Sequence, residues 1–179
     1  MLGLERESVR VVPYSPEWPR LFEEERGLLE SAFGGRALAF EHVGSTSVPG
    51  LAAKPVLDLM ASVRDLKDVE PCVAPLARVG YTYKGENGLP GRHYFTKGSP
   101  LRTHHLHVVT HGGDFWREHL LFRDHLRAHP DEARAYARLK TELSRKFSRD
   151  RAAYTEAKAP FIRRVVELAK AETNQFPRR

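Results

Sequence analysis

Residues 41–59, EHVGSTSVPGLAAKPVLDL, decide the fold. They set Gly-Ser-Thr-Ser-Val-Pro-Gly directly behind one apolar run and a lone carboxylate, Asp58, inside the next. A carboxylate in a buried strand needs a partner, because an isolated charge is costly to remove from water. ALAFEHV over 37–43 reads as a first strand and PVLDLMASV over 55–63 as a second. Gly44 lets the chain turn with close backbone approach, and the hydroxyls of Ser45 and Thr46 and the free N–H groups of the loop can cradle a phosphate. An Asp on the neighbouring strand can then hold Mg²⁺ against that phosphate through hard oxygen ligands. The same residues also suit a plain loop, with Thr46 or Ser47 capping a short helical turn and Asp58 pairing Lys54 or an arginine.

On either side of this stretch, short β-branched runs alternate with helical patterns. VRVVPY, residues 9–14, reads as an edge strand or extended arm closed by Pro13 and Pro16. Ser15 then caps a helix, PEWPRLFEEERGLLESAF, whose apolar face is Trp18, Leu21, Phe22, Leu28, Leu29 and Phe33. A helix is expected around 66–79, its first turns disturbed by Pro71 and Pro75. YTYKG, RHYFTKG and LRTHHLHVVT read as strands three to five, separated by turn signals at Gly88, Pro90, Gly91, Gly98 and Pro100. Past Gly112 the pattern turns helical, with helices expected at about 114–129, 131–147 and 150–172 and breaks at His129-Pro130 and Ser148-Arg149-Asp150. The fold class is therefore α+β, a mixed β-sheet flanked by helices. One domain is expected over 1–179, with a mixed core at about 9–111 and a helical C-terminal part at about 112–172.

A chain of 179 residues with 41% hydrophobic content suffices for one ordinary core. The single cysteine, Cys72, excludes an intrachain disulfide framework and a thiolate metal cluster, and suits a reducing compartment. MLGLERESVRVVPY carries charges where a signal peptide needs its apolar core, and no apolar run reaches the length of a membrane span. A cytoplasmic protein without a membrane partner is expected. A formal net charge of +6 suits nucleotide phosphates or acidic small molecules. Because bases and acids interleave, as in EARAYARLKTELSRKFSRDRAAY, nucleic acid is not the expected partner.

RTHHLHVVT, residues 102–110, concentrates three histidines. In a strand His105 and His107 share one face while His104 and Leu106 share the other. If this strand neighbours the second, His105, His107 and Asp58 form a two-His, one-carboxylate face for a divalent ion such as Mn²⁺, Zn²⁺ or Fe²⁺. Alternatively the neutral imidazoles accept protons or, once protonated, bind phosphate beside Arg102, or they are simply sheet histidines. Arg92, after the turn GLPG, either brings its planar fork over the same cleft or is an exposed turn arginine, and Lys54, extended by Pro55, either reaches the phosphate loop or is a solvated loop lysine. His42 is either a core or a cleft residue. His125 and His129 stand one helical turn apart, a metal-binding spacing, but no third ligand is evident and a solvent face is the expectation.

EHVGSTSVPGLAAKPVLDLM resembles the signature of the GrpB-like family, a branch of the nucleotidyltransferase superfamily. VVPYSPEWPRLFEEE, GLPGRHYFTKG, RTHHLHVV, HLLFRDHLRAHPDEARAYARLK and YTEAKAPFI are similar to it as well, so the resemblance runs from about residue 9 to 170. It implies a nucleotidyltransferase fold, with nucleoside triphosphate and Mg²⁺ bound where Ser45 and Asp58 converge. In that superfamily a metal pair is held by Asp-x-Asp or Asp-x-Glu, usually with a third carboxylate from a later strand; Asp58-Leu59-Met60 has only the first. The similarity extends over Tyr154 and Lys158, which share a helix face. Lys158 either reaches a triphosphate or substrate carboxylate, with Tyr154 stacking or hydrogen-bonding nearby, or is an exposed helical lysine, and Pro160 is expected to bend or interrupt their helix. The implied activity is Mg²⁺- or Mn²⁺-dependent transfer of a nucleoside monophosphate from a triphosphate to a small acceptor. In it Asp58 sits on the metal, Gly44, Ser45 and Thr46 on the phosphates, and His105 or His107 completes coordination or acts as general base. Two alternatives stand beside it. One is a binding module without transfer, since relatives resemble fusions to dephospho-coenzyme A kinases; the other is a mononuclear metal enzyme using the His pair and Asp58. Met60 favours these two, whereas the Gly-Ser loop favours the transferase and the binding module.

Overall fold

Alternating apolar and polar residues build five strands: β1 (Ala37–Val43), β2 (Leu57–Val63), β3 (Tyr81–Tyr83), β4 (Arg92–Lys97) and β5 (His104–Thr110). In the computed structural model, which describes residues 2–175, they form one sheet in the order β1-β2-β5-β4-β3. The ends of the span expected as one domain lie outside the described residues. β2 and β5 pair in parallel and every other neighbouring pair is antiparallel, which makes the sheet mixed. Five helices flank it: α1 (Trp18–Phe33), α2 (Val73–Arg78), α3 (Asp114–Ala128), α4 (Pro130–Lys146) and α5 (Arg151–Gln175). The α+β architecture with a helical C-terminal part is the one the sequence leads us to expect.

The period of two sorts side chains between the faces of the sheet. Leu57, Leu59, Ala61 and Val63 of β2 point with Leu106 and Val108 of β5 into the main core, against Trp18, Phe22, Leu29 and Phe33 of α1. Each such large side chain contributes about 1.5–3 kcal/mol when fully buried. On the other face Val43, Met60 and Val109 pack against Trp116 of α3. Further helical packing gathers Val48, Leu51, Leu126, Tyr136 and Val165. The second face is the one that carries Asp58, His105 and His107.

Several local expectations change. Ser15 is not the N-cap of α1: Glu17 takes that place without a side-chain cap, and Ser15 Oγ only accepts a 3.4 Å bond from the Glu17 N–H. Leu28 is 44% exposed, whereas Glu25 is 6% exposed in the middle of the apolar stripe. Lys97 of β4 explains the exchange, because its Nζ donates to both Glu25 oxygens, at 2.8 and 2.9 Å. The helix expected at 66–79 splits into a 3₁₀ segment over Leu66–Cys72 and the short α2, since Pro71 and Pro75 lack the N–H that a continuous α-helix uses. The N-terminal segment is an extended arm rather than a strand, tied by single bridges from Leu4 to Arg102 and Val12 to Ala53. β2 and β5 start at Leu57 and His104, a few residues later than expected, and α5 runs on through Pro160 without a break. No helix among the described residues is long and apolar enough to cross a membrane.

Candidate active site

The parallel register of β2 and β5 sets Asp58 directly opposite His105 and Met60 opposite His107. Antiparallel β4 adds Tyr94 beside His107 and Arg92 beside Val109. Helices α3, α4 and α5 roof this face and leave a cavity of about 440 Å³. Asp58, His105, His107 and Arg92 form its floor. Gly44, Ser45, Thr46 and Lys54 make one wall, and Tyr154 and Lys158 of α5 face them from another. These ten residues thus line one space.

Gly44 sits at φ 68°, ψ −173°, a conformation open almost only to glycine. A Cβ there would lie 2.6 Å from Asp58 Oδ2, so the close approach of turn and carboxylate requires the missing side chain. The next residues, Ser45–Ser47, form a 3₁₀ turn in which Ser47 Oγ donates to the Gly44 carbonyl at 2.6 Å. Helix α3 braces the turn from outside. Arg127 Nε and Nη2 donate to the Ser47 carbonyl at 3.1 and 2.8 Å, and Arg123 Nη1 donates to the His42 carbonyl at 3.1 Å. His42 belongs to the core side, its ring stacked 4.9 Å from Phe22 and its Nε2 2.9 Å from Thr46 Oγ1.

His105 answers the question raised by Asp58: its Nδ1 lies 2.8 Å from Asp58 Oδ1. Burial works against the Asp58 charge, but the His105 hydrogen bond and the nearby His105, His107 and Lys54 side chains outweigh it and hold the carboxyl well below the ordinary range. Burial depresses His105 against the pull of Asp58. A neutral His105 bonded to a carboxylate carries its proton on Nδ1, which leaves a lone pair on Nε2, 3.5 Å from Arg151 Nη2. His107 is pushed down to about 3 by burial, despite Asp58, and stands 3.4 Å from Arg92 Nη1 through its Nδ1.

Positive charge dominates the rest of the lining. Lys54 and Lys158 hold their ammonium groups 5.3 and 4.5 Å from the Tyr154 ring centroid. Lys140 of α4, 2% exposed, donates to the Ala52 carbonyl and lies 4.6 Å over the Tyr136 ring. Burial, then the neighbouring Lys54, brings Lys158 down to about 7, and burial with Lys158 and Lys54 drives Lys140 well below its ordinary value. Against Lys54, Arg92, Lys140, Arg151 and Lys158 stand Asp58 and Glu118, and Glu118 is already bound by Lys170 at 2.9 Å. Among the described residues, the Tyr154 hydroxyl and Arg92 Nε are buried without a hydrogen-bond partner. Lys140, Arg151, Tyr94, Tyr136 and His119 line the cavity as well, and the sequence reading missed them. Lys140 and Arg151 lie in charge-mixed helical sequence whose local signal is a solvated face.

The donor set fits one divalent ion better than two. Asp58 Oδ1 is engaged by His105, and Oδ2, turned toward Gly44, is the oxygen that could ligate an ion. Met60 is fully buried among Val43, Val109 and Trp116 and offers no oxygen for a second. Asp58, His105 and His107 share the floor, but among the described residues their ligating atoms do not gather into a three-ligand centre.

A family model described as GrpB protein matches residues 8–168. The chain is 41% identical over 165 residues to the UPF0157 protein YqkA of Bacillus subtilis (strain 168), covering 92% of this chain and 48% of YqkA. It therefore spans about half the length of that relative. It is also 31% identical over 183 residues to a dephospho-CoA kinase of Mycolicibacterium paratuberculosis, covering 88% of this chain and 45% of the kinase. The crystal structure of conserved protein GrpB from Enterococcus faecalis superposes with a TM-score of 0.86 at 37% identity, covering 91% of this chain and 98% of that one. The Cid1 poly(U) polymerase with bound MgGTP superposes with a TM-score of 0.52 at 11% identity, covering 75% of this chain and 44% of that one. At that identity the likeness speaks for a nucleotidyltransferase-like fold alone.

Proposed function

The chain belongs to the GrpB family, and we propose that its cavity binds a nucleoside triphosphate with one divalent ion and transfers the nucleoside monophosphate to a small acceptor. The Asp58–His105 pair on the floor, flanked by the Gly44–Thr46 turn, by buried Lys140 and by half-buried Lys54 and Lys158, carries this reading. The turn and Lys54, Lys140 and Lys158 take the phosphates. Asp58 Oδ2 would hold the ion, which when bound supplies charge neutralisation to the phosphates. The acceptor oxygen forms a bond to the α-phosphorus as the bond to the bridging oxygen of the β-phosphate breaks. His105 Nε2 takes the acceptor proton, and Asp58 orients the imidazole and stabilises its cation. Pyrophosphate leaves with its charge screened by the lysines, and His105 returns the proton to water.

A second reading keeps the binding and drops the transfer. The apolar surroundings of Met60, at the place of a second carboxylate, favour it. So does the similarity to a dephospho-CoA kinase, of which the match covers less than half, as expected for a nucleotide- or cofactor-recognising module attached to another enzyme. Calorimetry with ATP, CTP, GTP and UTP, with and without Mg²⁺ or Mn²⁺, tests the shared part. The transferase reading expects pyrophosphate release when acceptors are added, and the binding-module reading expects none. Failure of all four triphosphates to bind more tightly with the ion than without it would overturn both.

A further inference from the structure

His125 and His129 do not both face solvent. His125, in the last turn of α3, keeps 3% of its side chain exposed, and a third side chain reaches both rings from far along the chain. Glu172, near the C-terminal end of α5, sets Oε2 3.2 Å from His125 Nδ1 and 3.3 Å from His129 Nε2. The two rings stack with centroids 4.0 Å apart. Among the described residues this is the group of histidine, cysteine and carboxylate side chains whose ligating atoms all lie within 4.8 Å of one another. None of the three lines the cavity that holds Asp58.

From this geometry we propose that His125, His129 and Glu172 form a site for one divalent cation of the Zn²⁺ class, separate from the cavity. The spacing is the reason. Tetrahedral zinc with bonds of about 2.0–2.2 Å places neighbouring ligand atoms roughly 3.4 Å apart. The observed nitrogen-to-oxygen separations of 3.2 and 3.3 Å already have that length. A cation can therefore sit between these atoms: an imidazole whose proton lies on the ligating nitrogen shifts it to its other ring nitrogen, and only an imidazolium gives up a proton to water. Two imidazoles and one carboxylate suit Zn²⁺, Co²⁺ or Ni²⁺ rather than Mg²⁺. His129 and Glu172 are 41% and 50% exposed, so the site opens to solvent, leaving a route for the ion and a fourth position for water. The nearby acid Glu132 is held by Arg164 at 3.1 and 2.7 Å and is not a competing ligand. The site ties the far end of α5 to the α3–α4 junction, and α5 also carries Tyr154 and Lys158, so occupancy stiffens a helix that walls the cavity.

The test is a Zn²⁺ titration of the full chain, followed by melting temperature, with Co²⁺ visible absorption as a second readout. Wild type is expected to take up one ion, melt at a higher temperature with it, and give the absorption of tetrahedral Co²⁺. His129→Ala and Glu172→Gln are each expected to lose at least about tenfold in affinity. Both substitutions fall at partly exposed positions, and unchanged melting of the metal-free variants shows that the fold is intact, where His125→Ala in a buried position could unfold the protein. Asp58→Asn is expected to leave the zinc effect in place, which separates this site from the cavity. No uptake by wild type, uptake insensitive to both His129→Ala and Glu172→Gln, or uptake abolished by Asp58→Asn would each overturn the proposal.

Discussion

His105 Nδ1 and Asp58 Oδ1 meet at 2.8 Å across two parallel strands whose register places the residues side by side. The bond fixes the imidazole, keeps the half-buried carboxylate charged, and leaves Nε2 beside Arg151. Under the proposed function two roles fall to one carboxylate, Oδ1 serving the histidine and Oδ2 the ion. The roles separate on substitution. An amide in place of the Asp58 carboxylate retains an oxygen for the His105 Nδ1–H but loses the charge. Asp58→Asn is expected to lower metal-enhanced triphosphate affinity by about tenfold or more, the worth of one charge-assisted contact, with metal-free affinity little changed. Calorimetry with and without Mn²⁺ measures both, and equal losses in the two conditions would show that Asp58 acts through the fold.

His105→Gln removes the Nε2 base. Under the transferase reading, pyrophosphate release is expected to fall by about 10²–10⁴-fold while triphosphate affinity stays near wild type. Rapid-quench assay and calorimetry together read the split. Release unaffected by the substitution would return His105 to a purely positioning role.

Lys158 supplies a pH dependence. Its depressed pKa, about 7, lies below the ordinary lysine value of 10.5. Between those values the unfolded chain binds the proton and the folded apo protein does not, so this group makes apo stability rise with pH across that window. A bound polyanion reverses the balance by favouring the ammonium form. Triphosphate binding above pH 7 is therefore expected to take up a proton, and affinity to fall as pH rises. Calorimetry in buffers of different ionisation enthalpy measures the uptake. Lys158→Met should remove most of it, and uptake that persists in the variant would assign the proton to another group.

Gly44→Ala places a Cβ 2.6 Å from Asp58 Oδ2 at a φ of 68°. Backbone strain alone costs about 1–3 kcal/mol. The carboxylate must also move away from His105, so both the denaturation midpoint and metal-dependent binding should drop. A variant as stable as wild type with binding intact would show that turn and carboxylate approach less closely than described.

The sheet and most helices were legible because their periods are strong. Alternation in 55–63 and 102–110 puts Asp58, His105 and His107 on one face once the strands are neighbours, and the structure makes them neighbours in parallel. What stayed hidden depends on contacts between segments distant in sequence. Lys140 looks like any lysine of a charged helix until α4 lies over the cavity. Glu172 becomes a partner of His125 only when α5 folds back along α3. Glu25 was passed over because a carboxylate in an apolar stripe reads as an interruption, and its partner lies on a strand whose position local sequence does not show.

That last pair permits a test of the fold that does not touch the cavity. Glu25 is nearly buried under the sheet, bonded through both oxygens to Lys97 Nζ, with His104 Nε2 3.7 Å away and depressed to about 4 by burial despite Glu25. With Lys97 in place His104 stays neutral, so the lysine is the counter-charge of Glu25. Lys97→Met therefore strands a buried carboxylate, and a loss of about 3–5 kcal/mol is expected. The double variant Glu25→Leu/Lys97→Met removes both charges and continues the apolar stripe formed by Trp18, Phe22, Leu29 and Phe33. It should recover most of that loss, because a buried ion pair exchanged for well-packed apolar groups is often neutral. Urea denaturation of the two single variants and the double gives the coupling directly. Additive losses in the double would mean that Glu25 and Lys97 do not depend on each other, and that α1 is seated on the sheet by its apolar face alone.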